Sequence, residues 1–192
     1  LYTISGGIQL RGDLRARPAT NAALLGSGAI LASVIGTTGA AMLLIRPLLQ
    51  TNAQRRHVRH TVVFFIFLVC NVGGCLLPIG DPPLFLGYLR GVPFLWTLRL
   101  AKEWAICTGA LLVVYYLWDS RLYRKETPEA LGRDETAVER LSLRGRVNLV
   151  YLLGVVMSVG LLVPGEPFLP YKPYIVPHHL RELTMLLLAG LS

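Results

Sequence analysis

Charge is scarce in this 192-residue chain: 16% of its residues are Asp, Glu, Lys or Arg, against roughly 25% in an ordinary soluble domain. Acid is scarcer than base, with 11 Asp and Glu against 19 Lys and Arg. With 53% hydrophobic residues and a mean hydropathy of +0.52, that shortage excludes a soluble domain of ordinary type. Cysteine is scarce too. Cys70, Cys75 and Cys107 stand in apolar runs and read as small buried hydrophobes, their odd number arguing against a disulfide framework. His57 and His60 lie among Arg residues and His178 and His179 follow a Pro, without the acidic or Cys companions of a metal centre. Gly6, Gly7 and Gly12 form no phosphate-binding fingerprint. No nucleophile, base and acid stand together, so the chain is read as a non-enzyme with no bound cofactor.

What is present is long uncharged runs separated by short Arg-rich loops, the layout of a polytopic all-α membrane protein. The net charge of +8 is read as an orientation signal, because the Arg residues sit at the ends of apolar runs. The bilayer is then the expected partner and nucleic acid is not. The expected location is integral to a membrane, the plasma (inner) membrane, with loops 51–60 and 119–146 cytoplasmic. A homodimer is compatible with this. The first residue is Leu1 and the last apolar run stops at Ser192, so the sequence is expected to be a fragment of a longer chain.

The first apolar stretch, Ala22 to Leu49, exceeds the roughly 20 residues of one perpendicular span and is broken by Gly26, Gly28, Gly36 and Gly39. A tilted helix and a re-entrant hairpin over about 20–50, with its tip at Gly36, Thr37, Thr38 and Gly39, both fit. Arg11, Arg15 and Arg17 precede it and Arg55, Arg56 and Arg59 follow; placing both flanks on one side favours the hairpin. A second run, Thr61 to Leu77, meets Pro78, Ile79, Gly80, Asp81, Pro82 and Pro83. Each Pro removes a backbone donor and clashes with the preceding turn, so a broken helix is expected over about 61–98. Trp104 to Trp118 reads as a span with Trp104, Tyr115, Tyr116 and Trp118 as interfacial anchors. Residues 119–146 read as a solvated loop with a short amphipathic helix from about Glu135 to Leu143. Val147 to Val163 reads as a further span, Pro164 to Pro177 as an irregular connector, and a last, truncated helix starts near Leu180.

Asp81 carries the chemistry. An acid at membrane depth costs roughly 2.5–3.5 kcal/mol on insertion scales and usually marks an ion or proton path. It stands beside broken backbone, where freed carbonyls bind cations and half-helix amides bind anions. It is equally placed to cap a helix starting at Pro82. Asn71, Gly73 and Gly74 lie one to two turns earlier, offering an amide oxygen and close helix approach. Ser33, Thr37 and Thr38 supply uncharged hydroxyls, which serve either a polar site or bonds back to helix carbonyls.

The stretch Asn71-Val-Gly73-Gly74-Cys-Leu-Leu-Pro-Ile-Gly80-Asp81-Pro82-Pro83 resembles the broken-helix segment of the ion transporter superfamily, which includes arsenite permeases, NhaD-type sodium/proton antiporters and citrate or dicarboxylate carriers. Ser33 through Pro47 resembles the hairpin-tip motif of the same families. The resemblance covers residues 20 to 90. It implies an inverted-repeat secondary transporter fold in which a re-entrant hairpin and a discontinuous helix meet at the substrate site. Residues 1–118 would then belong to the first-repeat transport domain, and 147–192 to further transmembrane helices. Thr37 and Thr38 stand where arsenite permeases show Asp-Asn and dicarboxylate carriers Ser-Asn-Thr. Asn71, Gly73, Gly74, Gly80, Asp81 and Pro82 match the broken-helix motif, and a fixed carboxylate at Asp81 favours a cation or proton.

The expected function is therefore Na⁺/H⁺ antiport by alternating access. Na⁺ and H⁺ would compete for Asp81, with Asn71, Thr37, Thr38 and carbonyls near Gly36 and Gly80 completing an oxygen shell. A citrate or dicarboxylate carrier of the same fold, and a non-transporting membrane scaffold, are the alternatives.

Overall fold

The computed structural model describes residues 2–136, 139–162, 177 and 179–192. Along the chain come α1 (Tyr2–Gly6), β1 (Gln9–Asp13), α2 (Pro18–Ile35), α3 (Thr37–Thr51) and α4 (Arg59–Phe65). The last runs on through a π-helical turn, Ile66–Asn71, into a 3₁₀ turn, Val72–Leu76. After a break come α5 (Pro82–Leu89), a 3₁₀ segment Phe94–Leu100 leading into α6 (Ala101–Tyr123), α7 (Pro128–Thr136), β2 (Glu139–Arg144), α8 (Arg146–Leu161) and α9 (Leu180–Gly190). Among the described residues, three segments are long and apolar enough to cross a membrane: Pro18–Ile35, Arg59–Leu76 and Phe94–Tyr123. The chain is thus mostly helical and consistent with a polytopic membrane protein.

The first apolar stretch is two helices folded back on each other. Gly36 separates α2 from α3 with φ 85° and ψ 150°, a conformation that costs glycine little and any side chain much more. At the far end Asn21 and Asn52 exchange hydrogen bonds of 2.8 and 2.9 Å. Midway, Gly28 lets Leu44 of α3 and Val69 of the π-helical turn converge on α2: a Cβ there would fall 2.8 and 2.7 Å from their methyls. Pairing at the ends and in the middle makes the hairpin. Its seam buries Leu25, Ala29, Ala32, Leu44 and Leu48, with Leu68 and Val69 behind.

α6 runs antiparallel to the 59–76 helix. Trp104 donates to Val72 O at 2.9 Å, and Tyr115 pairs with Thr61 at 3.1 Å. Where the 3₁₀ turn ends, carbonyls lose their helical donors, and side chains replace them. Ser33 donates to Gly73 O, and Thr97 to Leu76 O at 2.9 Å.

Three expectations change. The fold is not purely α: β1 and β2 form an antiparallel ribbon pairing Gln9 with Arg144, Leu10 with Leu143 and Arg11 with Ser142. Of the helix expected over 135–143, Glu135 and Thr136 end α7 and Glu139 to Leu143 lie in that second strand. Leu141 and Leu143 alternate with Ser142 and Arg144, a period of two, and the helix lies earlier, starting after Thr127 at Pro128, a favourable helix opening. Tyr115, expected as an interfacial anchor, is fully buried, whereas Tyr116 and Trp118 are about half exposed. The span read as Val147 to Val163 is α8, of 16 residues. The connector expected over Pro164 to Pro177 lies outside the described residues except for Pro177.

Candidate functional site

The hairpin tip and the broken helix meet. Thr37 N donates to Gly80 O at 3.0 Å, which fixes the first residue of α3 against the break. Gly74 and Gly80 lie backbone to backbone: a Cβ on Gly80 would come within 2.2 Å of Gly74 O, and one on Gly74 within 2.8 Å of Gly80 O and 2.7 Å of the Thr37 methyl. Gly73 packs as closely on α2, its missing Cβ 2.9 Å from Ala29 Cα. Three glycines thus let a hairpin and a broken strand of backbone approach to a separation no other residue allows.

Around this junction is a cavity of about 410 Å³. Its polar side is Gly36, Thr37, Thr38, Gly80, Asp81 and Pro82, and its apolar side is Ile35, Ile79 and Phe85, closed by Val155 and Val159 of α8 and Met185 of α9. Asp81 precedes α5 in extended conformation, φ −140° and ψ 137°, and its carboxylate makes no cap hydrogen bond. Its carbonyl accepts from Leu84 N and Phe85 N, both at 3.1 Å. Pro82 and Pro83 bring no amide hydrogens to that end. The two half-helices therefore offer opposite chemistry. The amino end of α3 presents amides and the positive end of its dipole, while the amino end of α5 presents a carboxylate.

Six of the residues singled out in the sequence, Gly36, Thr37, Thr38, Gly80, Asp81 and Pro82, line this one cavity. Gly73 and Gly74 build its frame. Asn71 is not brought to it: the residue is exposed and its Nδ2 donates to Ile66 O at 3.2 Å. The π-helical turn adds a residue to each turn, so Asn71 sits away from the face that a regular α-helix would give it. Ser33 holds Gly73 O rather than lining the cavity. The wall from α8 and α9 had no sequence signal beyond hydrophobicity.

A second polar cluster lies at the other end of the hairpin. Arg55 grips Asp119 with two bonds, Nη2 to Oδ1 at 2.5 Å and Nη1 to Oδ2 at 3.1 Å, and also donates to Ala16 O. His60 Nε2 donates to Asp119 Oδ1 at 2.8 Å, its ring stacked beside Tyr115 and Trp118. Glu126 accepts from the amides of Arg56 and His57 at 3.1 and 2.9 Å. Asp134 accepts from Ala16 N. Asp119 is completely buried and the side chains of Arg55 and Glu126 nearly so. Burial alone would raise the Glu126 pKa, but the two amides, the His57 ring and Arg55 hold it below the usual carboxylate range. Acids read as part of a solvated loop are thus interior groups. The segments 11–17, 55–60 and 119–134 converge at one end of the molecule through these carboxylates.

A helical hairpin whose tip meets an interrupted helix around a cavity, with three membrane-length apolar segments among the described residues, has the build of an integral membrane protein, and the family match adds the transporter class. Residues 1–192 match the family model described as "Putative citrate transport", and the chain belongs to that family. No curated protein and no solved structure matches the chain.

Proposed function

We propose that this chain forms part of an ion-coupled secondary carrier of the citrate class, in which Asp81 holds the coupling cation or proton and the amino end of α3 faces the anion. One observation carries the reading: the hairpin tip and Asp81 line a single cavity, with the helix end that attracts anions beside the group that attracts cations. A polycarboxylate entering beside a bare carboxylate would be repelled. A Na⁺ or proton on Asp81, helped by the Thr37 and Thr38 hydroxyls and carbonyls at Gly36 and Gly80, removes that repulsion, so cation binding precedes and recruits the anion. Coupling follows from that order.

A second reading, Na⁺/H⁺ antiport by alternating access, is favoured by one feature. Among the described residues lining the cavity none is Lys, Arg or His, so Asp81 is the only fixed charge there. In that reading Na⁺ and H⁺ exclude each other at one carboxylate, and no anion moves.

Proteoliposome flux separates the two. Citrate uptake driven by an inward Na⁺ or proton gradient, lost in Asp81→Asn, supports the carrier. Na⁺-driven proton movement without citrate, lost in the same variant, supports the antiporter. Either flux unchanged in Asp81→Asn removes Asp81 from that mechanism.

A further inference from the structure

α6 presents one long face that the rest of the described chain leaves uncovered. Val113, Val114, Leu117 and Trp118 are each half exposed or more. At the carboxyl-terminal end the same helix forms a shallow groove of about 370 Å³ lined by Val114, Leu117, Trp118, Arg121, Leu122 and Lys125. These positions recur at intervals of three and four residues, so they share one helical face. The helical turn continues past Tyr123, with Arg124 N donating to Ser120 O and Lys125 N to Leu122 O, which keeps Lys125 on the face of Arg121.

The charge of this groove is uncompensated. The two acids nearest in sequence face the interior: Asp119 is held by Arg55 and His60, and Glu126 by the amides of Arg56 and His57. Among the described residues, Arg121 and Lys125 make no ion pair. The negative end of the helix dipole favours cations there, but it neutralises neither. An apolar wall thus leads directly into two free cations, with an exposed Trp at the junction.

We propose that this groove binds an anionic phospholipid, its phosphate between Arg121 and Lys125 and its acyl chains along Val114 and Leu117. Two arguments select a lipid over a soluble anion or a protein. The apolar wall belongs to the segment Phe94–Tyr123, which is long and apolar enough to cross a membrane. From Val114 to Lys125 the helix rises roughly 16 Å, about the distance from the bilayer midplane to the phosphate layer. Basic groups just beyond an apolar span, with an interfacial Trp, are the chemistry that recognises anionic headgroups.

The test uses delipidated protein in detergent, with dioleoyl-phosphatidylglycerol, dioleoyl-phosphatidylcholine or inorganic phosphate added separately. Lipid retention is counted by native mass spectrometry. Phosphatidylglycerol should be retained in preference to phosphatidylcholine by roughly tenfold. Arg121→Gln/Lys125→Gln should bring the two lipids to parity. Arg99→Gln/Lys102→Gln, which removes two exposed cations at the other end of the same segment, should leave the preference intact. Both variants alter exposed side chains, so folding is preserved, and a matching thermal midpoint verifies it. Three results would overturn the assignment: an unchanged preference in the Arg121/Lys125 variant, an equal loss in both variants, or displacement of the lipid by millimolar inorganic phosphate. A dimer that dissociates in the Arg121/Lys125 variant while the lipid preference persists would assign the groove to a second copy of the chain instead.

Discussion

The two ends of the α2–α3 hairpin are built from opposite materials. The tip is held by glycine backbone and one main-chain bond, Thr37 N to Gly80 O. It surrounds a cavity in which Asp81 has no cap partner. At the base, Arg55, His60, Asp119 and Glu126 are buried and bonded to one another or to backbone amides. Charge at the base is spent on fixing helices, whereas charge at the tip is left to meet a ligand. In the proposed carrier, an end that opens and closes around an ion would be served by contacts that cost little to part. The end that anchors it is served by contacts that cost much. The comparison predicts that substitutions at the base act on stability first and those at the tip on transport first.

The largest expected effect is at the base. Asp119→Ala leaves the Arg55 guanidinium buried without its partner, a change worth roughly 3–5 kcal/mol. It should lower the thermal midpoint in detergent far more than Asp81→Asn, which removes a partly buried charge that no described hydrogen bond uses. Arg55→Met/Asp119→Leu, replacing the pair with apolar side chains of similar size, should recover much of the loss. If Asp81→Asn destabilises as strongly as Asp119→Ala, the division of labour between the two ends is wrong.

Gly80→Ala comes next. Its new Cβ would meet Gly74 O at 2.2 Å, so the 77–81 segment must move off the tip and the Thr37–Gly80 bond must stretch. Overpacking of this kind costs roughly 1–3 kcal/mol, less than the loss at the base, yet it should abolish flux because α3 and Asp81 would no longer share one cavity. Flux and thermal midpoint measured on the same preparation decide the point. Retained flux would mean that the close approach is only packing.

The tip is legible in the sequence and the base is not, for a physical reason. Gly36-Thr-Thr-Gly39 and Pro78-Ile-Gly80-Asp81-Pro82-Pro83 announce themselves because glycine opens backbone conformations and close approaches that other residues avoid, while proline fixes φ and removes a donor, wherever the rest of the chain lies. The basic flanks make the hairpin the better reading through charge alone. The pairing of Arg55 with Asp119 spans 64 positions and leaves no local pattern, so both residues look like members of solvated loops. Asn71 reads as a site residue from its amide oxygen one to two turns before the break, whereas the π-helical turn leaves it exposed and bonded to Ile66 O. The cavity wall from Val155, Val159 and Met185 depends on how α8 and α9 dock, which hydrophobicity does not specify.

The smallest effect concerns acid. Glu126 is held below its ordinary pKa because the amides of Arg56 and His57 and the charge of Arg55 outweigh the opposing effect of burial. A carboxylate with a depressed folded-state pKa contributes stability that is present above the unfolded value of about 4.3 and is lost as pH falls through the folded one. The thermal midpoint should therefore be flat near neutral pH and decline as pH drops below about 4.5. Glu126→Gln should be less stable than the parent at neutral pH, and its decline through that window should be shallower, since one proton-linked contact is gone. The two curves should converge on the acid side, where the parent's Glu126 is protonated as well. Parallel curves would mean that Glu126 adds nothing proton-linked to the base. The base would then rest on the Arg55–Asp119–His60 cluster and on Asp134 bound to Ala16 N, and its contrast with the tip would narrow to those two carboxylates.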